Sequence, residues 1–274
     1  MRPGRHAIFK RALFYSALFV SLLGVSGCTQ SSSPGANDCT VTRTDEIATV
    51  SRVYDGDTLE LSDQRIVRLV GINTPERARD QQPSQPFAEQ ATDALAALLP
   101  AGNQVALIFD ESRHDRHGRL LAHVFTVPGT GRESVNVSAA LIEQGLGFAI
   151  TVPPNVRFQS CYFARENLAR QSKQGVWGHT AYQPRQATRL TRNDTGFQLV
   201  KGRVTDIGKS RKNIWLDMGD HFAVKIPRQH LQYFTRMPIE SLQGKQLVVR
   251  GWVSFYNQKL RVTVGHPAMI TIMD

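Results

Sequence analysis

Between residues 46 and 72 the apolar positions fall in three short runs separated by polar turns. Runs 46–54 and 58–62 flank Asp55-Gly56-Asp57, which predicts a hairpin. Run 65–72, rich in Val, Ile and Leu, predicts a buried strand. A polar loop follows Pro75, and then Phe87, Ala91, Leu95 and Leu98 recur at helical spacing, with Ser84 as the candidate N-cap. Residues 105–110 and 120–126 read as strands around a charged turn at 113–119. Residues 135–144 and 158–172 read as two further helices, stopped near Gly145 and Gly175. Strands followed by short helices, with no repeated strand–helix–strand spacing, predict a small closed barrel carrying three helices.

A polar stretch at 183–194 is expected to link this unit to another. Beyond it, residues 197–205, 213–217, 223–226, 246–254 and 259–264 read as strands, with a helix-like piece at 228–234. Five strands with a helix between the third and fourth is the order of an OB-fold barrel. The expected class is therefore α+β, mainly β: a five-stranded OB-like barrel with three helices over 45–182, then a second small OB-like barrel over 195–274.

Charge divides the chain along the same boundary. Residues 28–182 carry 14 Lys/Arg and 17 Asp/Glu, whereas residues 183–274 carry 15 and 6, so a net −3 stands beside a net +9. A near-balanced half beside a strongly basic half suggests that one does chemistry and the other holds a polyanion. Lys209, Arg211 and Lys212, clustered between two expected strands, are the candidate phosphate contacts. Solubility, or docking on an anionic envelope surface, is the other reading of this basic half.

The first 27 residues read as a leader: Arg2, Arg5, Lys10 and Arg11 precede an uncharged apolar run at 12–25. That run is short for a membrane span. Val25-Ser26-Gly27-Cys28 resembles a bacterial lipoprotein cleavage box, so Cys28 is expected to carry lipid, with residues 28–44 as a flexible tether and the cell envelope as the location. In an exported chain the remaining thiols, Cys39 and Cys161, invite a disulfide.

Four features of the first unit bear on chemistry. Asp55 and Asp57 share a turn; Arg68 stands mid-strand; Asn73-Thr74-Pro75-Glu76 ends that strand on a carboxylate; and Asp115-Arg116-His117-Gly118-Arg119 puts a second guanidinium on a turn. Phosphodiester hydrolysis needs a base for water and cations on the phosphoryl oxygens. Glu serves the first and Arg, with its planar fork, the second. Two other patterns are set aside. The Gly-Lys-Ser of 202–210 precedes a strand instead of a helix, and His114/His117 lack the further ligands zinc requires. Trp177 and Trp252 read as packing residues, while Trp215 and Phe255 are equally readable as core or as base-stacking groups.

Taken together, VYDGDTLEL, RIVRLVGINTPE, PFAEQA, FDESRHDRHGRLLAHVF, VNVSAALIEQGLGFAI and GVWG, in order over about residues 45–178, resemble the thermonuclease (staphylococcal nuclease) family. The resemblance implies an OB-like barrel, Ca²⁺ and cleavage of DNA or RNA leaving a 3′-phosphate. It implies Arg68, Glu76 and Arg119 as catalytic residues, Asp57 and Thr74 as Ca²⁺ ligands and Asp55 beside them. Asn73 stands where the family has a ligand aspartate, and 148–154 reads FAITVPP where the family stacks tyrosines on substrate. The expectation is a monomeric, Ca²⁺-dependent, envelope-anchored nuclease. A lipoprotein that only captures nucleic acid is the alternative, against which the trio Arg68, Glu76 and Arg119 argues.

Overall fold

The structure is a computed structural model describing residues 39–79, 82–100, 102–127 and 133–273. The leader and Cys28 lie outside the described residues. Five strands close the first barrel in the order β1 (Glu46–Asp55), β2 (Thr58–Leu61), β3 (Ile66–Leu69), β6 (Leu120–Thr126) and β5 (Gln104–Ile108). Pairing is antiparallel except between β3 and β6, which run parallel. Inward-facing Leu59, Leu61, Val67, Leu69, Val105, Leu107, Ala122 and Val124 are essentially sealed from solvent. Each such large aliphatic side chain contributes about 1.5–3 kcal/mol of burial free energy.

The run expected as one strand at 65–72 breaks in two: β3 ends at Leu69 and a separate β4 (Ile72–Asn73) pairs with β7 (Phe148–Ala149). The break is Gly71, at φ 87° with the Tyr162 ring packed against it, so close that a Cβ would lie 2.0 Å from that ring. The first helix, α1 (Ala88–Leu98), begins on Phe87 in the left-handed region and not on a Ser84 cap. Ser84 instead bridges the Ala78 N–H and Glu89 across the preceding loop. Helices α2 (Val137–Glu143) and α3 (Gln159–Gln171) follow, α2 capped by Asn136, whose side-chain Oδ1 accepts from the Ala139 N–H. Cys39 is disulfide-bonded to Cys161 of α3, with Cα atoms 5.4 Å apart.

Residues 183–194 are themselves structured. Within them β8 (Arg185–Gln186) pairs with the second sheet, and Ala187 and Leu190 are buried. That sheet runs β10 (Asp206–Lys209), β11 (Asn213–Asp217), β12 (Phe222–Pro227), β14 (Lys259–Thr263), β13 (Gln246–Tyr256), β9 (Gly196–Arg203) and β8, with β15 (Ile270–Met273) also on β13. Only Val204 and Thr205 separate β9, beside β8 at one side of this sheet, from β10 at the other, so one strand path joins its two sides and curls the sheet in the manner of a barrel. The parallel pair β12/β14 repeats the parallel pair β3/β6 of the first barrel. A seven-residue 3-10 segment at Arg228–Phe234 lies where the first barrel has α1.

The barrels are packed together. On the outer face of β9 and β13, Leu199 and Val248 bury against Phe148 and Val176. Phe148 also stacks edge-on with Trp177 and Tyr182. Ile150 of the first unit belongs to the second unit's core.

Candidate active site

Alternation on β3 turns Val67 and Leu69 into the barrel and Arg68 out of it, onto the wall of a cleft of about 680 Å³. Two backbone carbonyls aim its guanidinium, Leu69 O at 2.7 Å and Ile72 O at 3.0 Å from Nη1. Nη2 pairs with Asp57 Oδ2 at 2.8 Å and reaches Asn73 Oδ1 at 3.4 Å. The broken strand makes this possible, since the turn at Gly71 brings the Ile72 carbonyl back over the Arg68 side chain.

Asp57 is buried on the β1–β2 turn. Its carboxylate accepts from the Thr74 N–H at 2.9 Å and the Thr58 hydroxyl at 3.1 Å, and Asp55 accepts from the Asp57 N–H at 3.0 Å. Between them, Gly56 leaves no space for a side chain: a Cβ would meet Ala91 at 2.6 Å. Burial pushes the Asp57 carboxyl up to about 6, Arg68 opposes the shift, and the negative fields of Asp55 and Glu76 add to it.

Glu76 stands on an exposed loop closed by Gln85, whose side-chain oxygen accepts from the Glu76 N–H at 3.0 Å and whose own N–H donates to the Glu76 carbonyl at 2.9 Å. Its carboxyl titrates above the ordinary range, first because the cleft walls desolvate it and then because Asp55 repels its charge, with Arg68 and Arg119 opposing. Arg119 ends a turn organised by Asp115, which accepts from the N–H groups of His117 and Arg119 at 2.8 and 3.0 Å and from Arg119 Nε at 2.8 Å. Gly118, at φ 80°, lets that turn close.

One cleft therefore gathers Asp55, Asp57, Arg68, Asn73, Glu76 and Arg119. Thr74 lies behind it, buried, and joins through its backbone. Lys209, Arg211 and Lys212 do not line the cleft: they lie on the second barrel at the β10–β11 turn, with Lys209 paired to Glu240 at 2.8 Å. The cleft contains one residue that the sequence reading assigned to packing. Trp252, from β13 of the second barrel, lines it and is 45 % exposed. No spacing in the sequence signals this, because the contribution depends on how the two barrels dock.

Beside Arg68, hard oxygens are on offer to a divalent cation: the Asp55 and Asp57 carboxylates, the Asn73 amide oxygen and the Thr74 carbonyl. Among the described residues, no group of three or more His, Cys, Asp or Glu side chains is gathered around one point. A Ca²⁺ ion takes carbonyl, amide and water oxygens beside carboxylates, so this donor set suits it.

A closed five-stranded barrel bearing two arginines and a glutamate over a buried aspartate defines a hydrolase of phosphate esters. The chain belongs to the staphylococcal nuclease family. The sequence model described as staphylococcal nuclease homologue matches residues 66–179. A thermonuclease of Staphylococcus hyicus is 32 % identical over 133 residues, 47 % of this chain and 75 % of that protein. One of Staphylococcus intermedius is 33 % identical over 132 residues, 47 % and 74 % respectively. Endonuclease YncB of Bacillus subtilis (strain 168) is 29 % identical over 139 residues, 49 % and 63 %.

Proposed function

We propose that this chain is a Ca²⁺-assisted nuclease that hydrolyses phosphodiester bonds of DNA or RNA from a position on the cell envelope. The observation that carries the reading is the convergence of Arg68, Glu76 and Arg119 on one cleft above Asp57. Glu76 is open to water and titrates above an ordinary glutamate, which suits it to take the proton of the attacking water. Arg68, pre-aimed by two carbonyls, and Arg119, held by Asp115, present cations to the phosphoryl oxygens as negative charge builds there. Bound Ca²⁺, held by Asp57, Asn73 and the Thr74 carbonyl with Asp55 beside it, would supply further electrostatic stabilisation of the phosphate.

The second barrel holds the nucleic acid while the first cuts it, and the cations Lys209, Arg211 and Lys212 sit on the turn facing solvent. Lipid on Cys28 keeps the enzyme at the envelope as a monomer. The test is incubation of the purified protein with single-stranded DNA and RNA in Ca²⁺, Mg²⁺ or EDTA, followed by end-group analysis. Ca²⁺-dependent products bearing 3′-phosphates support the reading; intact substrate under every condition overturns it.

A further inference from the structure

Side chains two apart on a strand share a face, so Arg250, Trp252, Ser254 and Tyr256 of β13 all point outward from the second barrel. Arg250 is buried in the seam between the barrels. Two residues on, Trp252 emerges on the wall of the catalytic cleft; four residues further, about 13 Å along the strand, Tyr256 stands 55 % exposed. The face thus runs without interruption from the cleft to open surface.

At its open end the face holds a shallow depression of about 410 Å³ whose lining includes Trp215, Tyr256, Lys259 and Arg261. The Arg261 guanidinium lies 4.1 Å from the Tyr256 ring centroid, and among the described residues it is in no carboxylate pair. Register makes the depression continuous with β13: Arg261 lies opposite Ser254 on one side and Ala223 on the other, while Ala223 in turn lies opposite Asp217. Ala223, small and buried, forms the floor. The lining carboxylate, Asp217, is paired with Lys259 at 3.1 Å, so the surface presented to a ligand is aromatic and cationic.

The exposed rings of Trp252 and Tyr256 and the part-exposed Trp215, beside the Arg261 cation, suit a chain of flat rings joined by phosphates. Unpaired bases stack on aromatic side chains regardless of sequence, whereas a duplex hides its base faces. We infer that Trp252, Tyr256, Arg261 and Trp215 form a track for single-stranded nucleic acid that leads out of the catalytic cleft and across the second barrel. Trp252 stacks the base next to the cleft. Tyr256 and Trp215 take bases further along, and Arg261, over the Tyr256 ring, grips the intervening phosphate. The track supplies the aromatic contacts that the FAITVPP segment of the first barrel lacks. It deepens the nuclease reading and rests on it for direction, since it begins where cleavage occurs.

The test is fluorescence anisotropy with labelled oligo-dT and oligo-rU of two to twelve nucleotides and with a blunt duplex, in EDTA so that nothing is cut. The expected result is affinity that climbs with single-strand length up to roughly six nucleotides or more. On an eight-mer, Trp252→Ala, Tyr256→Ala and Trp215→Ala should each raise Kd by about fivefold or more, with Trp252→Phe close to wild type. Arg261→Ala should flatten the dependence of log Kd on log salt by about 0.7. Arg203→Ala, an exposed cation opposite Gln246 at the far end of β13, serves as the charge control. On a dinucleotide, only the Trp252 substitution should register. Comparable losses for dT and rU identify base faces as the ligand, and a loss confined to one identifies the sugar as a further contact within the same track. Unchanged eight-mer affinity in all three alanine variants, equal losses on the duplex, or a Trp252→Phe protein as weak as Trp252→Ala overturns the track. Hydrolysis of a chromogenic phosphodiester by the wild-type protein with Ca²⁺ tests the nuclease reading separately, so failure of one does not imitate failure of the other.

Discussion

Arg250 of the second barrel donates from Nη1 to both carboxylate oxygens of Glu166 in α3, at 2.6 and 2.8 Å, across a seam where both side chains are almost sealed from water. The same nitrogen donates to the Ala149 carbonyl at 3.0 Å, and Glu166 accepts from the Ala149 N–H at 2.9 Å. Removing Glu166 strands the buried Arg250, and removing Arg250 leaves the buried Glu166 only the longer contact to Arg170 Nε at 3.6 Å. Glu166→Ala or Arg250→Ala should therefore cost about 3–5 kcal/mol, read from urea denaturation, while the double replacement Glu166→Leu/Arg250→Met should recover most of it. Additive losses in the double variant would show that the two residues do not act as a pair.

Glu76→Gln should lower kcat by at least about 10²-fold, and Arg119→Ala by about 10²–10³-fold. Because both side chains are reached by solvent, melting temperatures should hold within a few degrees. Single-turnover assays at saturating substrate measure this, and near wild-type turnover by purified Glu76→Gln would remove Glu76 from the chemistry.

Asn73 is buried with its amide oxygen toward Arg68. Replacing it with aspartate adds a hard anionic ligand without changing shape. Calorimetric Ca²⁺ titration of Asn73→Asp should show binding tightened roughly tenfold, about 1.4 kcal/mol. An unchanged or weaker dissociation constant would place Asn73 away from the ion.

His123 is enclosed by Tyr162, whose hydroxyl is 2.7 Å from Nδ1, with Phe158 edge-on and Asp110 at 3.6 Å from Nε2. Burial lowers its pKa below the ordinary value; Asp110 opposes the shift and Arg157 adds to it. The folded protein thus holds His123 neutral while the unfolded chain takes up a proton below about pH 6.5. Stability should therefore fall as pH drops through that value, by at most about 1.4 kcal/mol per unit from this group. Unfolding free energies at pH 7.5 and 5.5 for wild type and His123→Phe give the comparison. The variant should be less pH-sensitive, and an identical slope would assign the effect elsewhere.

The strands of both barrels were legible because their apolar runs are short, β-branched and bounded by turn residues. The break at Gly71 was not, since it depends on Tyr162, ninety-one positions away in the chain, occupying the space a side chain would need. Strand β10 was missed because Asp206–Lys209 is half polar and half-buried, so nothing in its pattern distinguishes it from the turn it precedes. In the site, the charged groups on turns and strand ends were visible locally, but Trp252 reaches the cleft through docking that no local pattern encodes. The basic composition of residues 183–274 marks a second unit but carries no sign of the seam, where Arg250 pairs with Glu166 and Ile150 is buried in the second core.

Cys39 is fastened to Cys161 in the first turn of α3, 122 positions along the chain. A pull on the polypeptide ahead of Cys39 is therefore delivered through a covalent bond into a helix whose Glu166 is bolted to Arg250. It does not peel β1 from β2 one hydrogen bond at a time. The mechanical load path enters the molecule through α3 and bypasses the hairpin that carries Asp55 and Asp57. A body held by its leading end can be tugged without its cutting edge being drawn out of shape.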